Sequence, residues 1–232
     1  MLLSRAILAS PIVVLAFFVP IGTPAGIALD TEILLAKIKA AYDGVMDYQG
    51  NMEVSTRSRD GSFLTYKFLY THKKPDWIRL DFESPHSGMI LVYPDANGKV
   101  VIRPSGWGRS FQIHLTPDSF LLRDPSGQRV THTDLGVLIR NIAHSLTDRR
   151  RGPVKIQEEN GSIQVRVLAD NHFQEGVLTL YQFFIDREQW LPAKVEEYSP
   201  EGLLERTVTF HNLRTNIGIS DQFFQLDGSS AR

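Results

Sequence analysis

Apolar and polar residues alternate with a period of two along most of this chain from residue 51 onward, and that rhythm most restricts its fold. Leu64, Tyr66, Phe68 and Tyr70 alternate with Thr65, Lys67 and Leu69; Ile78, Leu80 and Phe82 alternate with Arg79, Asp81 and Glu83. A period of two puts successive side chains on opposite faces, so each segment reads as a strand with one buried face. Further strands are expected over 88–93, 99–103, 154–159, 163–169, 178–186, 194–198 and 204–211. Asp60-Gly61, Lys74-Pro75-Asp76, Asn97-Gly98, Asn160-Gly161 and Glu201-Gly202 punctuate them with residues suited to tight turns. Trp107, among Ser105, Gly106 and Gly108, reads as a loop or the start of a strand.

Two segments follow a helical period instead. Asp30 is placed to cap a helix starting at Thr31, with Leu34, Ile38, Ala41, Tyr42 and Val45 on one face and Gly44 and Gly50 marking its end. Thr133 and Asp134 start a second helix whose stripe is Leu135, Leu138, Ile139, Ile142 and Leu146. Asp148 and Arg149–Arg151 close it, with Gly152-Pro153 as stop signals. The sum is a mainly β (α+β) chain of roughly ten antiparallel strands in a meander, forming a strongly curved sheet or open barrel. An N-terminal helix and an inserted helix cover it.

Two helices are little cover for so much apolar strand surface, which points to a hydrophobic cavity. Its expected wall is Tyr66, Phe68, Ile78, Leu80 and Phe82, from two neighbouring strands. Leu135, Leu138, Ile139 and Ile142 are expected to face it from the inserted helix, which then acts as a lid hinged at Asp124-Pro125-Ser126-Gly127 and Gly152-Pro153. The competing reading of the same aromatic stripe is ordinary core.

The first 28 residues read as an export signal. Arg5 supplies the positive charge, Ala6 to Val19 the apolar stretch, and Gly26-Ile27-Ala28 small residues for cleavage, with Thr23-Pro24-Ala25 an earlier candidate. The alternative is an uncleaved inner-membrane anchor. Residues 29–226 then form one domain and 227–232 a disordered tail. The chain has no cysteine, which excludes disulfides, thiolate metal sites and a lipid-modified N-terminus. Its 25 Lys+Arg, one of them Arg5, against 26 Asp+Glu give no basic excess for nucleic acid.

No catalytic constellation stands out. The seven histidines are scattered, without zinc spacing, and read as surface or capped residues. Asp81 and Glu83 share one strand face; that suits acid–base work or, more simply, a solvated face. Ser105-Gly106-Trp107-Gly108 lacks the strand–turn–helix setting of a nucleophile elbow. Arg149–Arg151 suit an anionic headgroup or acidic partner, or simply the helix C-terminus. No phosphate loop, metal site or cofactor is expected.

The order of motifs resembles the LolA/LolB-like superfamily of bacterial envelope proteins. Lys74-Pro75-Asp76-Trp77-Ile78-Arg79-Leu80-Asp81-Phe82 looks like its "KP..+..+.f" strand pair, and Asp95 to Ile102 is similar to its "dGk.v.i" hairpin. Phe183-Phe184-Ile185-Asp186 with Leu191-Pro192-Ala193-Lys194-Val195 looks like its "..f.iD...lP.k.e" segment. Glu201-Gly202, Phe210 and Ile219 to Phe224 resemble its closing pattern. The stretch Leu121 to Leu146 is most similar to an uncharacterised branch, where the pattern is nearer "RHP.TelG"; Arg129-Val130-Thr131-His132 departs from it. The resemblance covers roughly Leu34 to Phe224. It implies an incomplete barrel closed by helices that carries or senses acyl chains in the periplasm. The better-known carriers hold their lid with an arginine, which no position here matches. Fold analogy does not by itself fix function.

The sequence reading is therefore an exported, monomeric, non-enzymatic periplasmic binding protein that carries a lipid or lipidated protein between membrane partners. An envelope-stress sensor binding lipid or a membrane partner, and an enzyme on the same fold, are the alternatives.

Overall fold

A computed structural model of the protein describes residues 29–123, 128–129, 133–147 and 153–226. The export signal, the 124–127 hinge, Arg149–Arg151, Gly152 and the 227–232 tail lie outside the described residues.

Helix α1 (Thr31–Asp43) leads into β1 (Asp47–Arg57), β2 (Phe63–Lys73), β3 (Trp77–Ser84), β4 (Ile90–Tyr93), β5 (Val100–Arg103) and β6 (Ile113–Leu115). Helix α2 (Leu135–Thr147) is followed by β7 (Lys155–Glu159), β8 (Ser162–Asp170), β9 (Leu178–Asp186), β10 (Pro192–Tyr198) and β11 (Leu204–Thr215). Short 3-10 turns occur at Gly106–Ser110, Phe120–Leu122 and Asp221–Phe224. Trp107 sits fully exposed in the first of these turns.

All eleven strands belong to one antiparallel sheet in the order β6-β5-β4-β3-β2-β1-β11-β10-β9-β8-β7. It is two meanders, β1–β6 and β7–β11, joined where β1 pairs with β11. The edge strands β6 and β7 do not pair with each other, so the barrel is open. Strand β6 escapes the sequence reading because it is three residues long and its side chains are largely exposed. Gly50 does not end a helix. It lies inside β1 at the register break with β11, where a Cβ would stand 3.1 Å from the His211 carbonyl oxygen and 3.3 Å from Leu213 Cα.

The alternating residues fill the concave side. Phe68 and Tyr70 of β2, Ile78 and Leu80 of β3, Val165 and Val167 of β8, Tyr181 and Phe183 of β9 and Val208 and Phe210 of β11 are all buried in one core. Leu34 and Ile38 bring α1 onto it, and Leu135, Ile139, Ile142 and Leu146 bring α2. Helix α2 packs against α1, β8 and β10. Its start is fixed by side chains. The Asp134 carboxylate accepts from the Val137 N–H at 3.0 Å, and the Tyr48 hydroxyl accepts from the Leu135 N–H at 2.8 Å. Gly136 permits the close approach of the helices: a Cβ there would meet the Tyr42 hydroxyl at 2.6 Å.

The convex side of β1–β6 is covered by the C-terminal segment. The buried Asp47 carboxylate accepts from the N–H groups of Ile217, Gly218 and Ile219 at 2.7, 3.1 and 3.0 Å. Lys73 donates to the Ile219 carbonyl at 2.7 Å and Arg79 to that of Phe223 at 2.7 Å; Phe224 packs edge-on against Trp77. Among the described residues, no helix is long and apolar enough to cross a membrane.

Candidate functional site

Helix α2, with α1 packed against it, covers the β8–β10 side of the concave face, and the β1–β5 side keeps a cavity of about 320 Å³. Its wall is built by pleat and register. Inward-facing Met52 and Val54 of β1, Tyr66 and Phe68 of β2, and Leu80 and Phe82 of β3 stand side by side, and Leu91 and Ile102 continue the wall onto β4 and β5. Phe68 is directly opposite Phe82, with ring centroids 5.4 Å apart. Over the cavity lie His86 and Met89 from the β3–β4 turn, then Leu121, Leu122, Arg123, Gln128 and Thr133 from the strap between β6 and α2.

Tyr66, Phe68, Leu80 and Phe82 are thus brought together on the wall. Ile78, one inward position further along β3, is sealed in the core. Leu135, Ile139 and Ile142 are sealed there too, and Leu138 borders a separate void of about 30 Å³, room for a single water. Met52 and Val54 were within reach of the alternation rule along β1. The strap residues carry no period, and their position over the mouth is a tertiary fact.

Arg206 is the polar centre of the concave face and lines both the cavity and the small void. It donates to Glu197 on the adjacent strand at 2.8 Å and to the Gln128 side chain of the strap, and its guanidinium lies over the Phe173 ring. The strap is therefore tied to the far meander through a buried cation. Nothing local in the sequence signals this contact, because 78 residues separate Arg206 from Gln128.

Two histidines depart from the surface reading. His72 is 2% exposed and stacks on Tyr48 with centroids 4.9 Å apart; burial lowers its pKa. His172 stacks on Tyr181 at 4.3 Å, and its Nε2 is 2.8 Å from Ser145 Oγ on α2. Burial, with a smaller contribution from His144, lowers its pKa to about 4. The Ser145–His172 pair has a nucleophile–base look. Yet Ser145 is 1% exposed inside a helix, where backbone N–H groups bond along the helix rather than toward a reacting oxygen. The contact instead pins the C-terminal turn of α2 to the β8–β9 turn. Burial also raises the hydroxyl pKa values of Tyr48, Tyr70 and Tyr181, and that of Tyr42 to about 12. Buried tyrosines of this kind act as hydrogen-bonding posts.

Asp81 and Glu83 do not form a carboxylate pair. Arg79 holds both Asp81 oxygens, at 2.8 Å each, and uses its remaining nitrogen on the C-terminal segment, while Glu83 is exposed. Among the described residues, no group of three or more His, Asp or Glu is arranged to hold a metal. The arrangement as a whole is an apolar cavity beside a few polar groups.

No family model matches this sequence, and no curated protein resembles it in sequence. Several solved structures are similar in shape. An uncharacterised conserved protein from Thermus thermophilus aligns with 83% of this chain and 91% of its own at 8% identity, with a TM-score of 0.47. The LolA superfamily protein NE2245 from Nitrosomonas europaea aligns with 85% of this chain and 98% of its own at 12% identity, TM-score 0.38. The MucA/MucB complex of Pseudomonas aeruginosa matches over 84% of this chain at 16% identity, TM-score 0.41, and this chain spans 60% of that partner's length.

Proposed function

We propose that this protein is an exported binding protein, without catalytic activity, that shelters an acyl chain in its concave cavity and carries it through the periplasm. One observation carries the reading: the wall of Val54, Tyr66, Phe68, Leu80, Phe82 and Leu91 is apolar and has room for a ligand, where the β8–β10 side of the same face leaves only the void of about 30 Å³. Burial supplies the affinity, at about 0.8 kcal/mol per methylene removed from water. A chain of a dozen carbons therefore suffices for useful binding, and a strap tied down by side-chain contacts gives the ligand a way in without unfolding the sheet.

Mass spectrometry of protein purified without detergent is the test. A stoichiometric lipid or lipidated peptide is expected, and a protein that holds none and takes up no apolar dye is not a carrier. Residues 1–28 are proposed to direct export and to be removed at Ala28, so the periplasmic form should begin at Leu29 by N-terminal sequencing. An intact Met1 in the membrane fraction would mark an anchored protein instead.

Exposed Trp107, Phe111, Phe120 and Leu121 favour a second reading, a sensor that meets a partner through exposed apolar side chains of the segment between β5 and α2. A photo-crosslinking residue at position 107 in cells separates the two. One defined protein adduct supports the sensor; bound lipid with no adduct supports the carrier.

A further inference from the structure

We propose that the cavity's occupant is a single long-chain carboxylic acid whose carboxylate faces the Arg123 guanidinium at the mouth. This rests on the binding reading above and names its ligand.

Among the described residues, the ionisable groups of the lining are Tyr66, His86, Arg123 and Arg206, and no carboxylate is among them. The described acids nearby are directed elsewhere. Asp81 and Glu83 alternate with Leu80 and Phe82 and so project from the opposite face of β3, where Arg79 holds Asp81. Asp118 is engaged by Arg129. Glu197 pairs with Arg206 from the side of the small void and does not line the cavity. With Arg206 already met by Glu197, the described lining offers the charge of Arg123 and hydrogen-bond donors above an apolar floor.

The placement suits an amphiphile. The His86 ring stands 6.3 Å from that of Tyr66 and 6.5 Å from that of Phe82, at the end of the aromatic floor. Arg123 belongs to the strap and is exposed, so its charge meets a headgroup at the edge of water without full desolvation. About 320 Å³ is at the small end of ligand cavities, which suits one chain. A neutral alcohol would gain the same apolar burial but only an uncharged hydrogen bond from the donors, weaker than the charge-assisted one a carboxylate makes, and a cationic chain would meet like charge.

The test is displacement of a bound apolar dye from the full-length protein by hexadecanoate, hexadecanol and hexadecyltrimethylammonium, each below its aggregation limit. Hexadecanoate should bind tightest, with hexadecanol weaker by about fivefold, the scale of one partly exposed ion contact, and the ammonium weakest. Arg123→Gln should weaken the acid more than the alcohol and so shrink the gap between them. Leu121→Glu, at another exposed strap position, should weaken the acid selectively and serves as a second variant should the first fold poorly. Equal affinity for acid and alcohol, a preference for the ammonium, or a gap that neither variant alters overturns the headgroup assignment while the cavity reading stands. Failure of all three ligands to displace the dye overturns the cavity reading itself.

Discussion

Arg206 on β11 and Glu197 on β10 are directly opposite in register and form a 2.8 Å ion pair in which the two side chains are 6% and 8% exposed. A charge pair this dry is not a large net source of stability, but removing one member strands the other. Glu197→Gln keeps the shape and leaves a buried guanidinium short of its counter-charge. We expect a loss of about 3 kcal/mol, read from the urea midpoint. Glu205→Gln, one position along the strand and facing away, should change stability by less than about 0.5 kcal/mol. Equal effects would mean that the pair is solvated in solution.

Stability should fall with acid between pH 6.5 and 4. His172 has its folded pKa lowered to about 4 from 6.5, by burial first and His144 second. Above pH 6.5 the imidazole is neutral in both states and its contribution is fully present. As pH falls below 6.5 the unfolded chain takes up a proton that the fold refuses, so stability declines until the folded pKa is reached. The ceiling is about 3 kcal/mol. His72, buried and lowered in the same direction, adds to the slope. His172→Gln should flatten the urea midpoint over this window relative to wild type; a parallel curve would place the acid sensitivity elsewhere.

Gly136→Ala should go against helix propensity. In an exposed helix interior the exchange stabilises by about 1 kcal/mol. Here the new methyl would lie 2.6 Å from the Tyr42 hydroxyl and 2.7 Å from an Asp134 oxygen that caps the same helix. A loss of about 1–3 kcal/mol is expected from overpacking. Adding Tyr42→Ala should recover part of it, and a double-mutant cycle on thermal midpoints measures the coupling.

Most of the strands were legible because a pleat leaves a period of two wherever one face is dry, and α2 was legible from its five-residue stripe. What the sequence hides is contact between distant segments. The β1–β11 pairing spans most of the chain, and nothing local distinguishes it from a continuous meander. Asp47 looks like any polar residue after a helix, yet it holds three N–H groups some 170 residues away. The wall residues Tyr66, Phe68, Leu80 and Phe82 were readable from alternation in β2 and β3. Their cover was not, because the sequence over 116–134 has no regular period, and Gln128 is placed by its tertiary contact with Arg206. His72 was misjudged because its burial depends on which face of β2 turns inward, and His172 because the β8–β9 turn that carries it folds onto Tyr181 and Ser145.

The division of labour between α2 and the strap can be separated by mutation. Ile142 is completely buried beneath α2, and placing a carboxylate there strands it among apolar groups. Ile142→Asp should lose about 4 kcal/mol or more and broaden the unfolding transition. Leu138 borders only the small void, where a carboxylate can stay partly hydrated, so Leu138→Asp should lose about 1–2 kcal/mol. Neither position lines the large cavity, so folded Leu138→Asp protein should take up an apolar dye with wild-type affinity. Leu122 does line it, and is 3% exposed within the strap. Leu122→Ala should leave the strands intact by far-ultraviolet circular dichroism while speeding dye entry and exit in stopped-flow fluorescence. If Leu138→Asp alters the dye rates and Leu122→Ala does not, the helix is the moving cover and the strap is fixed wall.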